Sequence, residues 1–114
     1  MRQAPERPAV VVLAHHDTDP GVLREVCAGA EEEGVPTRVA VPDRDAGDVT
    51  DLAHTAARDS RLGVGVGLDA AGGVAVHHAL LPARRPVVLA DAGPAQWRRA
   101  GRTAARIVKR TPLD

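Results

Sequence analysis

Apolar residues along this chain form short continuous runs, separated by stretches in which they recur every three or four positions. Pro8 opens the run "PAVVVLA", which has strand length, and "HHDTDPG" breaks it with turn and cap residues. Asp19 followed by Pro20 reads as N-cap and first residue of a helix. Within that helix Val22, Leu23, Val26, Gly29 and Ala30 share one face, Arg24, Glu25 and Glu32 lie away from it, and Gly34 supplies the stop. "PTRVAV", Pro36 to Val41, reads as a second strand. After the loop "PDRDAGD", Asp48 caps a second helix whose Val49, Leu52, Ala53, Ala56 and Ala57 form an amphipathic stripe that ends near "RDSR".

A third strand, "LGVGVGLD", is glycine-rich enough to let another backbone approach closely. "VAVHH", Val74 to His78, follows after only "AAGG", which is long enough for a hairpin and too short for a parallel crossover, so the fourth strand runs antiparallel to the third. "RPVVLA" reads as a fifth strand. From Ala95 to about Arg110 a third helix places Trp97, Ala100, Gly101, Ala104 and Val108 on one side. The expected fold is an α/β sandwich around a mostly parallel five-stranded sheet with one antiparallel strand, and right-handed crossovers put helices on both faces.

Length bounds this to one domain over residues 1–114 with one modest core. There is no Phe or Tyr and only one Trp, so the core must come from Val, Leu, Ala and Ile. The formal net charge of zero conceals an asymmetry: residues 1–83 carry 7 basic and 13 acidic side chains, residues 84–114 carry 8 and 2. Such a division marks a docking surface, unless the fold brings the two halves together. The N-terminus, "MRQAPERP", has no apolar leader core, and no apolar segment approaches a membrane span, so the expected location is the cytoplasm.

Candidate chemistry is sparse. Gly65, Gly67 and Ala70 satisfy G-x-G-x-x-A, but a strand follows where a dinucleotide site needs a helix N-terminus. There is no Walker-type phosphate loop, and Lys109 is the only lysine, so the chain is not expected to be an ATPase by itself. Cys27, the only cysteine, excludes an internal disulfide and is expected to be a buried, inert thiol. Adjacent histidines on a strand point to opposite faces, so neither His15–His16 nor His77–His78 chelates alone, and His54 is placed with Asp51 and Arg58 on a polar helix face. Solvated or locally hydrogen-bonded imidazoles are the expectation. His15, His16 and Asp17 do lie at a strand's C-terminal end, where α/β sheets place ligands, but no nucleophile or oxyanion partner accompanies them.

Two charged features remain. Arg98, Arg99, Arg102, Arg106, Lys109 and Arg110 form a basic arc on the third helix, expected to be solvated or to dock an acidic partner; nucleic-acid binding lacks the aromatic side chains that would stack on bases. Glu31, Glu32 and Glu33 end the first helix at its partially negative pole, where they repel one another. On the helical wheel they diverge. On spacing alone the run is a solvated acidic end, the alternative being that one carboxylate, Glu32, is presented to a hard cation shared with a second protein.

The segments "LREVCAGAEEEGVPTRV", "GDVTDLAHTAARDSRLGVGVGLD", "VAVHHALLPARRPVVLA" and "GRTAARIVKRTPL", in this order and spacing, resemble the small subunit of the diol or glycerol dehydratase reactivating factor, over about four fifths of the chain from Leu23 to Leu113. The medium subunit of the adenosylcobalamin-dependent dehydratases is related and shares the same pieces. The resemblance implies a three-layer α/β/α sandwich similar to the anticodon-binding domain of class II synthetases. It also implies a chaperone-like, non-catalytic role: two large Hsp70-like ATPase subunits and two small subunits form a heterotetramer, which engages a dehydratase inactivated by damaged cobalamin. The small subunit takes the place of the dehydratase medium subunit, and the damaged cofactor leaves.

In this family a glutamate at the helix end contributes to a Mg²⁺ or Ca²⁺ held between small and large subunits, and the matching position is Glu32. No cobalamin or nucleotide is expected on this chain alone, and no nucleic acid or membrane is an expected partner. The location it implies is the cytoplasm or a bacterial microcompartment within it. "LAHHDTDP" departs from the family pattern, and its histidines could be lineage-specific interface contacts. Two other readings stay open: the dehydratase medium subunit itself, which is expected to carry extra segments on both sides of the shared domain, and a nucleic-acid-binding module using the basic third helix.

Overall fold

The computed structural model describes residues 7–110. The opening "MRQAPE" and closing "TPLD", which carry part of the leader reading and the last residues of the resemblance, lie outside the described residues. The elements run β1 (Val10–Ala14), α1 (Pro20–Glu32), β2 (Thr37–Ala40), α2 (Val49–Asp59), β3 (Val64–Leu68), β4 (Val74–His78), β5 (Val88–Ala90) and α3 (Pro94–Arg110). This is the expected order; β4 has the expected bounds, and the other strands are shorter than expected by two or three residues.

Local chemistry sets the boundaries. The Asp19 carboxylate accepts the Gly21 amide at 2.9 Å, with Pro20 starting α1. Asp48 and Asp51 cap α2 reciprocally, each side chain accepting the other's backbone N–H at 3.0 Å. In the short link between β3 and β4, one Asp69 carboxylate oxygen accepts the amides of Ala71 at 3.0 Å and Gly73 at 2.7 Å, and Gly72 turns the chain at φ 89°.

The sheet order is β2-β1-β3-β4-β5. β1 pairs in parallel with β2 and β3, and β4 pairs antiparallel with both β3 and β5, so β4 is the single reversed strand. Alternation along β1 divides the core: Val10, Val12 and Ala14 join Val22, Val26 and Ala30 of α1 and Ala100, Ala104 and Ala105 of α3, whereas Val11 and Leu13 meet Leu52 and Ala56 of α2. Helices therefore cover both faces of a mixed sheet.

Glycines set how closely the layers meet. A β-carbon on Gly65 would collide with the backbone of Ala56 and Ala57, and one on Gly67 with Val49 and Ala53. The G-x-G pattern thus lets α2 lie against β3, and it serves packing rather than a phosphate. On the other face, Gly29 of α1 abuts the Arg98 carbonyl of α3, and Gly101 of α3 abuts the Val26 carbonyl of α1. Next to that contact, Trp97 ties α3 to the β3–β4 link, its indole N–H donating to the Gly72 carbonyl at 2.7 Å.

Cys27 departs from expectation in being half-buried, because the buried centre of α1 runs through Val22, Val26, Gly29 and Ala30. Among the described residues no helix is long and apolar enough to cross a membrane.

Candidate functional site

The close crossing of α1 and α3 brings the acidic end of one helix against the basic arc of the other. Arg98 Nη2 lies 3.1 Å from the Glu25 carboxylate, and its Nη1 lies 3.4 Å from Glu32 Oε2. Arg102 Nη1 reaches Glu32 Oε1 at 3.9 Å. Glu33 turns back towards α3, where Lys109 Nζ lies at 3.0 Å and Arg106 Nη2 at 3.5 Å. The hydrogen bond from Lys109, with Arg106 adding its charge, holds the Glu33 carboxyl below the usual carboxylate range. Glu25, then Glu32, raises the Arg98 guanidinium above its ordinary value.

Four of the six basic residues of the arc pair with carboxylates of their own α1, while Arg106 and Lys109 stay more than half exposed, so the arc is solvated in part and engaged within the chain in part. The charge imbalance between the two parts of the chain is drawn together by the fold. The divergence read from the helical wheel holds: Glu31 is exposed, Glu32 lies on the Glu25 flank, and Glu33 is folded inward.

Of the two glutamates of the run that pair with α3, Glu32 is the more open. Its side chain is 44% exposed and its arginine contacts are long, whereas Glu33 is 19% exposed with a close lysine. Both Glu32 oxygens face arginines, but at 3.4 and 3.9 Å these contacts are long enough for Mg²⁺ or Ca²⁺, which take oxygen ligands and often keep several waters, to compete for one of them. Glu32 alone cannot be a complete site: Glu25 and Glu33 are engaged by Arg98 and Lys109, so further ligands have to come from elsewhere.

The histidines separate by environment. His77 is fully buried, its Nε2 3.0 Å from the Ala83 carbonyl, while its Nδ1 accepts the His78 amide at 3.0 Å. This ties the β4–β5 connection back to β4. His54 is not on a free polar face: it is half-buried, with its ring centroid 4.7 Å from that of His77. Burial first, then His77 and Arg58, push the His54 imidazole below its ordinary value. His78 Nδ1 accepts the Leu80 amide at 3.1 Å, and His15 Nδ1 the Asp17 amide at 3.1 Å, so local hydrogen bonding is the rule.

Sequence reasoning missed a second clamp. Arg84, in the β4–β5 connection, reaches the α2 capping box, with Nη2 2.9 Å from Asp48 and Nη1 3.0 Å from Asp51. The arginine holds the Asp48 carboxyl far below the usual range, and the bond from the Asp51 backbone adds to it. The same connection and β5 expose apolar side chains, Leu80 at 87% and Leu89 at 62%. The run "ALLPARRP" held the signal for both, as two leucines and two arginines in a segment without helical or strand period.

The sequence pattern of the dehydratase medium subunit family matches residues 7–114. The chain belongs to this family. Within it, the chain is 44% identical over 96 residues to the probable glycerol dehydratase-reactivating factor small subunit of Citrobacter freundii, covering 82% of this chain and 80% of the relative. It is 38% identical over 108 residues to the diol dehydratase-reactivating factor small subunit of Klebsiella michiganensis, covering 93% and 83%. Among solved structures it superposes on a glycerol dehydratase reactivase chain with TM-score 0.85 and 37% identity, over 95% of this chain and 97% of that one. A chain of diol dehydratase-reactivating factor complexed with ADP and Mg²⁺ gives TM-score 0.80 and 37% identity, with 96% and 99% covered. These relatives agree with the resemblance carried by the helix-end "EEEG" and by "AARIVK".

Proposed function

We propose that this chain is the small subunit of an ATP-dependent, chaperone-like reactivating factor for glycerol or diol dehydratase, and that it acts by subunit exchange. The observation that carries this reading is the near-complete superposition on a reactivase chain, TM-score 0.85 over 97% of that chain. The chain joins a large ATPase subunit in a heterotetramer of two large and two small subunits. It then takes the place of the medium subunit in a dehydratase blocked by damaged cobalamin, so that the cofactor escapes. Its own residues do no bond chemistry; ATP turnover belongs to the large subunit. The finer fold likeness, to the anticodon-binding domain of class II synthetases, is part of this reading, as is a place in the cytoplasm or a microcompartment within it.

Surface features support an interaction role. Exposed Leu80 and Leu89 on the β4–β5 side offer apolar contact area to a partner. Glu32 offers one oxygen to a divalent cation shared with the large subunit, for which the Mg²⁺ in the complex of the related diol dehydratase-reactivating factor is a chemical precedent. The pairing of Arg98, Arg102, Arg106 and Lys109 with α1 carboxylates supports this reading over nucleic-acid binding by the basic helix.

The test is co-expression with a reactivase large subunit, followed by an assay of glycerol-inactivated dehydratase. ATP-dependent recovery that requires this chain is expected. Stable incorporation of the chain into active dehydratase in place of the medium subunit, without recovery, would assign it to the enzyme instead.

A further inference from the structure

The parallel part of the sheet has a switch point. From β1 the chain crosses to β2 through α1 on one face, and from β2 it crosses to β3 through α2 on the other, while β1 lies between β2 and β3. Connections therefore leave the carboxyl ends of β1 and β2 towards opposite faces, which opens a crevice of the kind where α/β sheets take ligands. His15, His16 and Asp17 stand at that end of β1.

Their placement is fixed by backbone pairing. The His15 amide continues the ladder one residue past the strand, donating to the Leu68 carbonyl of β3 at 3.0 Å, and the His15 carbonyl accepts the Thr18 amide at 2.9 Å, closing a turn. Thr18 Oγ1 reaches the Asp69 carbonyl at 3.4 Å, which ties the turn to the end of β3. Because β1 ends at Ala14, the two histidines do not point to opposite faces as a strand would have them: their rings stack with centroids 4.3 Å apart, and His16 Nε2 lies 3.5 Å from an Asp17 carboxylate oxygen. One ligand atom from each of the three side chains lies within 4.8 Å of the others, the only such group of three among the described residues. A cavity of about 210 Å³, lined by His15, His16, Pro42, Asp43 and Arg44, adjoins them.

We propose that His15, His16 and Asp17 form a binding site for a borderline divalent transition-metal ion of the zinc class. Two imidazole nitrogens and one carboxylate oxygen are the donor set such ions favour over Mg²⁺ or Ca²⁺, and three protein ligands leave a coordination position open to the cavity. His15 Nδ1 accepts the Asp17 amide at 3.1 Å, which orients the ring and leaves Nε2 as its donor to a metal. Asp43 and Arg44 at the cavity wall offset one another in charge. The site is separate from Glu32, which lies at the other end of α1, roughly 20 Å away along a helix of this length.

The experiment is a calorimetric titration of the full chain with Zn²⁺ at neutral pH, paired with a Co²⁺ titration read by visible absorption. One equivalent of Zn²⁺ is expected to bind and to resist competition by Mg²⁺, and Co²⁺ is expected to give the intense bands of a low-coordinate site. His16→Ala and His15→Ala should each weaken binding by about tenfold or more, since loss even of an outer-shell partner costs that much. His78→Ala, outside the site, should leave it unchanged. Absence of Zn²⁺ heat with the wild-type chain, or binding that survives both alanine variants, would overturn the proposal. So would a crevice that takes inorganic phosphate but no Zn²⁺. These readouts need no large subunit, so the outcome is independent of the reactivase reading.

Discussion

Gly29 of α1 lies against the backbone carbonyl of Arg98 on α3 with no room for a β-carbon between them. That contact, with its counterpart between Gly101 and Val26, sets the distance at which Arg98 meets Glu25 and Glu32. A helix crossing made close by two glycines is thus what assembles the charged site.

Gly29→Ala should destabilise the fold by about 1–3 kcal/mol, the usual range for forcing atoms into a packed interface. Gly101→Ala should behave alike. Gly21→Ala is the control, since a β-carbon there would meet Asp19 at an ordinary 3.5 Å. Urea unfolding of the three variants checks this; equal midpoints for Gly29→Ala and Gly21→Ala would contradict it.

Glu32→Gln separates stability from association. Because the carboxylate is half-exposed and its arginine contacts are 3.4 and 3.9 Å, the urea midpoint should barely move. On the proposed cation role, divalent-dependent affinity for the large subunit should fall by about tenfold or more. A dissociation constant that is the same with and without chelator, in both wild type and variant, would remove Glu32 from the cation site.

The Asp48 clamp predicts an acid limb. Its carboxyl titrates below the unfolded value of 3.8 because Arg84, then the Asp51 backbone, favours the charged form. Its contribution is complete above that value and is lost as pH falls towards the folded one. Arg84→Ala should therefore flatten the stability profile below about pH 4. Asp48→Ala should in addition lose about 1 kcal/mol at neutral pH as a missing N-cap.

His54 acts at milder pH. Its imidazole is pushed below 6.5 by burial, with His77 and Arg58 adding to the effect and Asp51 opposing it. Above the unfolded value both states are neutral there; below it the unfolded chain takes the proton first, so stability declines as pH falls through that window. His54→Gln should shallow the decline below pH 6.5, read from urea midpoints across the range. An unchanged slope would show that His54 is not the group responsible.

How much was legible follows from the range of each interaction. Capping residues, the three- and four-residue periodicity and the four-residue link before Val74 act within one or two turns of chain, so the sequence by itself determined the eight elements and the reversal of β4. It also marked Glu32 as lying on the Glu25 flank, since both positions sit on one helix. The sheet order, the burial of His77 against His54 and the pairing of the glutamate run were decided by tertiary structure. Arg98 and Glu32 are 66 residues apart, and Lys109 and Glu33 are 76 apart. No local pattern encodes their contact, because it depends on where α1 and α3 cross. The cations and the carboxylates were both visible in the sequence, but only packing at Gly29 and Gly101 decided that they meet each other.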